Sequence, residues 1–388
     1  MTALRLFLFF VLGAGLLGCQ STQTTQVPSE QNIPQFLDLS FPEYTKVTIE
    51  SPEQIFALND DAKRFVARRL LGEKDPAERI DKLLKAIFDH SDINLYYLNN
   101  ANTIAADTFD NKVANCLSMS IMTYALAKEA DLNVDFQEVQ IPEYWTRRDG
   151  YSFLNGHINV RLTPKVGKDQ YYFSATGKIV DFYPLARKQH FPQNDAKVNR
   201  IIAMFYNNKG ADALIQKDFT QAYAYFRSAI LSDLSFQSSW TNLGTLYRMT
   251  EHYDWAEKTF LHAIKLDEND LTVWENLALL HKRLNRFDKA DKIMARIEEK
   301  RKANPYYHYI LGEEMLDKEE WEQAITHYKR AIRIDNSKHM FYFGLAKSYY
   351  GLGDKERSLY YMKKAARNAD YIDERERYQG KMDLLASL

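Results

Sequence analysis

A period of 34 residues runs through the second half of the chain and limits what that half can fold into. In each unit a small residue is followed twelve residues later by a second small residue, and four residues after that by a large one. The first small position holds Gly210, Gly244, Ala278, Gly312 and Ala346. The second holds Ala222, Ala256, Ala290, Ala324 and Ser358, and the large position holds Phe226, Phe260, Met294, Tyr328 and Met362. Such a period predicts stacked pairs of helices.

Five units, starting near residues 203, 237, 271, 305 and 339, keep this register without an insertion. The spacing of Trp240, Leu243, Gly244, Tyr247, Ala256, Phe260 and Ala263 resembles the tetratricopeptide repeat. The resemblance implies an all-α tetratricopeptide-repeat solenoid over residues 203–372 that recruits a protein partner through its groove. Gly380 occupies the small position of an incomplete sixth unit, so residues 373–388 are expected to form a C-terminal capping helix. Lys209 replaces the expected Leu in the first unit, which predicts that this unit connects the repeats to the preceding domain.

The first 19 residues have the composition of a targeting segment. Arg5 supplies a positive charge, Leu6–Leu17 is apolar but short for a membrane span, and Gly18 precedes Cys19. This order resembles the bacterial lipoprotein signal, which implies lipidation of Cys19 and a place at the outer membrane facing the periplasm. A plain secretory signal is the alternative. Residues 20–35 are polar and predict a flexible tether.

The stretch between tether and repeats mixes helix and strand patterns. Helices are expected from Ser51-Pro52, Asp60 and Asp75-Pro76, and from Cys116 to Ala130. Strands are expected at Val134–Ile141, His157–Thr163, Gln170–Ser174 and Val180–Tyr183. We expect Phe36–Ile49 to be loop or a short strand, Thr103–Ala114 to be loop, and Pro142–Asn155 to be an irregular excursion.

Three residues of this stretch suit acyl transfer through a thioester. Cys116 opens a helix, where unsatisfied N–H groups and the helix dipole favour a thiolate. His157 would activate the thiol and protonate the leaving amine, and Asp181 would orient the imidazole. The backbone N–H of Cys116, with support from the side chain of Asn115, would stabilise the oxyanion.

The three motifs that carry these residues resemble the transglutaminase-like (papain-like cysteine protease) superfamily. The motifs are Asn115-Cys116-Leu117-Ser118, Gly156-His157-Ile158-Asn159-Val160 and Val180-Asp181-Phe182-Tyr183-Pro184. The resemblance covers Asp60 to Pro184 and implies an α+β papain/transglutaminase-like domain over residues 36–195 with a Cys-His-Asp site. Because Pro184 is displaced from the family position, Asn159 and Asp169 are alternative partners for the histidine.

Other function classes are disfavoured by charge and composition. Fifty-one basic and 52 acidic residues balance, so a nucleic-acid partner is not expected. The histidines of the repeats do not pair at i, i+4, and neither a metal nor a cofactor is predicted. Three hypotheses stay open: a lipid-anchored cysteine peptidase or acyltransferase acting on peptides or proteins, an inactive repeat-containing adaptor, and a structural lipoprotein.

Overall fold

The computed structural model describes residues 36–88, 93, 95–98, 100–139, 145–148, 151–154, 156–165, 177–182, 193–369 and 372–387. The predicted targeting segment, the predicted lipidation residue Cys19, the predicted tether at residues 20–35, the strand expected at 170–174 and the alternative partner Asp169 lie outside these residues. Among the helices of the described ranges, none combines the length and apolar character needed to span a bilayer.

The part of the chain before the repeats contains five helices and eight strands within the described residues. The helices are α1 (Pro52–Phe56), α2 (Asp60–Arg69), α3 (Pro76–Phe88), α4 (Ala105–Asn111) and α5 (Cys116–Glu129). The strands are β1 (Tyr96–Tyr97), β2 (Val113–Ala114), β3 (Asn133–Val139), β4 (Trp145–Arg148), β5 (Tyr151–Leu154), β6 (His157–Thr163), β7 (Lys178–Val180) and β8 (Gln193–Ala196).

The predicted helix starts are confirmed, and side-chain caps explain them. Ser51 and Gln54 form a reciprocal capping box at α1, with Pro52 as the first helical residue. Asn59 caps α2 by accepting a hydrogen bond from the N–H of Ala62. The local sequence therefore determines where these helices begin.

Three stretches expected to be irregular or extended are ordered differently. Residues 103–114 contain α4 and β2, and residues 142–155 contain an antiparallel hairpin of β4 and β5. Helix α4 has seven residues, too few to display a clear period, and β2 forms by parallel pairing with β1. Residues 36–49 form two 3-10 turns, Asp38–Ser40 and Pro42–Lys46, instead of a strand. Tertiary contacts therefore determine the secondary structure of these three stretches.

A four-stranded antiparallel sheet in the order β7-β6-β3-β8 packs against α5. Tyr124 of α5 stacks on Phe136 of β3 with ring centroids 4.5 Å apart, and Val160 of β6 is fully buried. Ten of the 14 residues of α5 are buried, which explains why its sequence shows no polar face. This burial fixes α5, and with it Cys116, against the sheet.

The repeat array consists of eleven further helices in the described residues. These are α6 (Val198–Ile215), α7 (Phe219–Ser232), α8 (Gln237–Met249), α9 (Tyr253–Leu266), α10 (Leu271–Arg283), α11 (Phe287–Ala303), α12 (Pro305–Asp317), α13 (Trp321–Ile334), α14 (His339–Gly351), α15 (Lys355–Asn368) and α16 (Ile372–Ser387). Helices α8, α10, α12 and α14 begin at residues 237, 271, 305 and 339, so the predicted register is confirmed.

A recurring hydrogen bond marks the fourth position of the units. In each case a polar side-chain atom donates to the carbonyl oxygen six residues earlier. The donors are Trp240 (to Leu234, 3.0 Å), Trp274 (to Glu268, 3.0 Å), His308 (to Lys302, 3.1 Å) and Tyr342 (to Asn336, 2.9 Å). In the first unit, Tyr206 instead donates to the carbonyl of Glu50 at 2.5 Å.

The first unit is therefore tied to residues that lie far earlier in the chain. Ile201 and Phe205 of α6 are fully buried in the same apolar core as α5 and the sheet. Lys209, the residue that breaks the repeat pattern, forms an ion pair with Glu50 at 3.0 Å. The departures from consensus in this unit are the contacts that join the repeats to the preceding fold.

Candidate active site

Cys116 is the first residue of α5 and is half-buried at the edge of the core. Asn115 caps the helix, since its side-chain oxygen accepts a hydrogen bond from the N–H of Ser118 at 2.9 Å. An α-helix leaves the N–H groups of its first turn without intrahelical acceptors. The sulfur therefore lies at the positive end of the helix, next to a backbone N–H that is free of intrahelical bonding.

His157 and Asp181 are brought together by the pairing of β6 with β7. His157 is the first residue of β6, and Asp181 immediately follows β7. Because Val160 pairs with Val180, one further step of this antiparallel register brings Asp181 alongside Asn159, two residues from His157. Both oxygens of Asp181 lie 2.8 Å from Nε2 of His157, so the ring N–H donates to the carboxylate.

The imidazole of His157 also interacts with the side chain of Cys116, and this interaction raises the pKa of the histidine. Since Nε2 faces Asp181, Nδ1 is the nitrogen available to the sulfur. Burial by itself would lower the pKa of His157, but its interactions with Asp181 and then Cys116 raise it to about 9. The ring, only 2% exposed, is therefore cationic at neutral pH beside the thiol.

The structure thus brings together Cys116, His157 and Asp181, the three residues named from sequence. Asp181 is the partner of the histidine, whereas the alternative Asn159 is fully buried and its side chain makes no hydrogen bond within the described residues. A sulfur that interacts with an imidazolium, itself hydrogen-bonded to a carboxylate, can support nucleophilic attack on a carbonyl carbon.

Asn115 is held by polar side chains that sequence reasoning missed. Its amide nitrogen donates to the side-chain oxygen of Asn102 at 2.5 Å, and the amide of Asn102 donates to Asp212 of α6 at 2.5 Å. Its backbone N–H donates to the carbonyl of Ala101 at 3.1 Å. In the structure Asn115 thus positions the start of the cysteine helix. Asn102 lies in a stretch without periodicity, and no sequence signal pointed to it.

The loop before α4 is held to the same helix by Ser118. The hydroxyl oxygen of Ser118 accepts a hydrogen bond from the N–H of Thr103 at 2.9 Å. Thr103 and Thr108 also bond through their hydroxyls at 2.7 Å. These contacts join α4, the loop and α5 into one rigid support for the sulfur.

Two segments of the chain match models of the tetratricopeptide repeat. Residues 237–270 match a model described as "Tetratricopeptide repeat", and residues 312–353 match one described as "TPR repeat". The first segment coincides with the second unit of the 34-residue register, the other overlaps the fourth and fifth units, and the chain contains tetratricopeptide repeats. Comparison with curated proteins gives no match.

Several solved structures are similar to part of the chain. One described as "MamA protein" is 19% identical, with 43% of this chain and 91% of that chain covered and a TM-score of 0.24. YrrB, described as a TPR protein with an unusual peptide-binding site, is 16% identical over 46% of this chain and 92% of its own, with a TM-score of 0.24. A MamA fragment from Desulfovibrio magneticus RS-1 is 16% identical over 44% and 97%, with a TM-score of 0.25. Identity and TM-score are low, and these similarities carry no information about function.

Proposed function

We propose that residues 36–195 form a transglutaminase-like domain in which Cys116, His157 and Asp181 catalyse thioester-mediated acyl transfer or amide hydrolysis on peptides or proteins. The observation that carries the proposal is that one imidazole is hydrogen-bonded to a buried carboxylate and interacts with a cysteine at the start of a helix. Such a combination would supply a nucleophile, an acid–base group and a group that orients the imidazole.

The proposed reaction starts from the thiolate form of Cys116 beside the imidazolium of His157. The thiolate of Cys116 attacks the carbonyl carbon of a substrate amide, and the oxyanion accepts a hydrogen bond from the backbone N–H of Cys116. His157 donates its proton to the departing amine nitrogen, the C–N bond breaks, and a thioester forms. Water or a second amine then attacks the thioester while His157 takes the proton from it. The carbon–sulfur bond breaks, which regenerates the thiolate beside the imidazolium.

The repeats supply the second half of the proposed function, which is recruitment of a protein partner. Tetratricopeptide arrays stack their helices into extended surfaces that suit peptides and helices. The family matches fall on the repeats, and this favours a second candidate function: an adaptor of envelope protein complexes whose first domain is not catalytic.

A lipid on Cys19 would anchor this protein to the outer membrane, with residues 20–35 as the tether. Replacing Cys19 with Ser removes the acylated sulfur, and the protein is then expected in the soluble periplasmic fraction instead of the membrane fraction. Several acyl chains stabilise anchoring by roughly 0.8 kcal/mol for each buried CH₂. Membrane retention of the Cys19→Ser protein would contradict the lipid anchor.

Thiol labelling tests the cysteine site. With the imidazolium of His157 against its sulfur, Cys116 is expected to react with iodoacetamide at about pH 6 at least about tenfold faster than free cysteine. His157→Ala removes the cation and is expected to slow labelling by a similar factor, as measured by mass spectrometry of the intact protein.

His327→Ala is the matched control, because His327 lies in the repeats on α13 and stacks with His308, far along the chain from α5. Its labelling rate is expected to equal that of the wild type. Labelling of the wild type no faster than free cysteine would favour the adaptor.

A further inference from the structure

A cavity of about 220 Å³ opens between α10 and α11 in the third repeat. Its apolar lining includes Trp274 of α10 and Ile293 and Ile297 of α11. Trp274 is half-buried, whereas Trp240, which holds the same register position one unit earlier, is fully buried. The cavity therefore presents the tryptophan and an apolar floor to solvent.

Three cations line the same cavity. Lys292, Arg296 and Lys300 are spaced four residues apart and so lie along one face of α11. The guanidinium of Arg296 lies 5.3 Å from the centre of the Trp274 ring. Within the described residues, none of the three cations forms an ion pair, and no acidic residue lines the cavity.

Neighbouring arginines of this repeat are paired. Arg286 contacts Glu257 at 2.8 Å, and Arg301 contacts Glu275 at 2.6 Å. These two arginines thus have acids within reach, whereas the three cations of the cavity form no ion pair within the described residues. A ligand with negative charge would gain from three positive charges beside an apolar floor.

The chain itself shows what covers the corresponding tryptophan of the second repeat. Phe36 stacks on Trp240, with centroids 6.2 Å apart and planes 5° from parallel. Two residues later, Asp38 accepts from Arg227 at 3.0 Å, and the guanidinium of Arg227 lies 4.8 Å from the Phe36 ring. An aromatic ring followed by a carboxylate thus lies against one tryptophan of this array, beside an arginine of the preceding helix α7, whereas Arg296 belongs to the helix that follows Trp274.

We propose that the cavity at Trp274 binds a segment of a partner protein that carries an aromatic side chain followed closely by acidic residues. The ring would enter the cavity against Trp274, Ile293 and Ile297. The carboxylates would pair with Arg296 and the two lysines. This inference deepens the partner-binding half of the proposed function and rests on it, but it does not depend on the chemistry of Cys116.

A peptide that spans residues 36–43 of this chain provides a probe, because it has two aromatic rings and two carboxylates, and in the full chain the same segment already lies against Trp240. Binding of the fluorescein-labelled peptide to the full chain is measured by fluorescence anisotropy. Arg296→Glu is expected to weaken binding at least about fivefold, and higher salt is expected to weaken wild-type binding.

Lys289→Glu is the matched control, because Lys289 is an exposed cation of the same helix that does not line the cavity. Its affinity is expected to stay within about twofold of the wild type, as is usual for a charge outside the contact. Arg296 is exposed, so its variant is expected to fold, and unchanged circular dichroism melts of both variants check this. A peptide with Asn and Gln in place of its acids is expected to bind as weakly to the wild type as the probe binds to the Arg296→Glu variant.

Three results would overturn the proposal. The first is equal affinity of the probe for the wild type and Arg296→Glu. The second is loss, in Arg296→Glu, of binding to phosphatidylglycerol vesicles but not to the peptide, which would make the cavity a lipid contact. The third is self-association of this protein in sedimentation experiments that is abolished by Arg296→Glu but is not inhibited by the peptide. The peptide assay measures binding alone, so a negative result would not affect the proposal for the cysteine site. Likewise, an unreactive Cys116 would not affect the proposal for the cavity at Trp274.

Discussion

His157 is a buried cation whose charge depends on two neighbours. Burial opposes that charge, and the carboxylate of Asp181 together with the Cys116 sulfur outweighs burial. The pKa of His157 is raised to about 9, above its ordinary value of 6.5. Stability from this pairing is therefore fully present below pH 6.5 and is lost as the pH rises through about 9.

Asp181→Asn is expected to lower the free energy of unfolding by about 2 to 3 kcal/mol at about pH 6, because it removes the counter-charge of a buried cation. Near pH 10 the imidazole is neutral, and the loss is expected to shrink to less than about 1 kcal/mol, the value of a hydrogen bond. Urea unfolding of both proteins across this range measures the difference.

Asp131→Asn provides the comparison, since Asp131 is an exposed acid paired with Lys165. Exposed ion pairs contribute little to stability, so Asp131→Asn is expected to lower the free energy of unfolding by less than about 1 kcal/mol across the same pH range. A cost for Asp181→Asn that does not depend on pH would contradict the charged state assigned to His157.

Within the repeat helices, the size of the small residue follows the shape of the residue that faces it in the register. Glycine occurs where that residue is aromatic, as at Gly210 with Phe226, Gly244 with Phe260 and Gly312 with Tyr328. Alanine occurs where it is methionine, as at Ala278 with Met294 and Ala346 with Met362. A Cβ at Gly244 would lie 2.7 Å from the Phe260 ring, whereas a flexible methionine can move aside. Ring and glycine therefore form one packing unit.

Gly244→Ala is expected to destabilise the array by about 1 to 3 kcal/mol, because the new methyl group overpacks against a rigid ring. Phe260→Met in the same protein is expected to recover about 1 kcal/mol, a coupling that thermal unfolding of the double-mutant cycle measures.

Gly380→Ala is the matched control, since nothing lies within 4 Å of a Cβ at Gly380. There the gain in helix propensity, up to about 1 kcal/mol, is expected to stabilise the protein. Independent, additive effects of Gly244→Ala and Phe260→Met would argue against the packing unit.

At the scale of the whole molecule, the repeats share a core with the fold that precedes them. Phe205 of α6 is fully buried in the cluster that also holds α5 and the sheet. The segment Phe36–Glu50 adds a second attachment, since Phe41 stacks on Tyr223 at 4.4 Å and Glu50 accepts from Tyr225 at 2.8 Å. Mechanical coupling between α5 and the first repeat follows from these contacts.

Phe205→Ala is expected to destabilise α5 and the first repeat together, at a cost of about 3 to 5 kcal/mol for the cavity it leaves. Hydrogen exchange followed by mass spectrometry is expected to show faster exchange in α5, α6 and α7.

Phe341→Ala removes an equally buried ring from α14 near the other end of the array. Because a repeat contacts mainly its neighbours, exchange is expected to rise in α12 to α14 and to stay unchanged in α5. Unchanged exchange of α5 in Phe205→Ala would mean that the two parts fold independently.

The amino-acid sequence by itself determined the repeat register, the helix starts and the identity of Cys116 and His157 as site candidates. A helix cap lies within one turn of the helix start it sets, and the repeat register recurs every 34 residues, so the pattern along the chain is enough to predict both. Only the tertiary structure decided that Asp181 is the partner of His157, that Asn102 and Asp212 hold Asn115, and that residues 36–50 pack on the repeats. Each of these contacts joins residues far apart in the chain or extends a strand pairing, and no periodicity along the sequence encodes them.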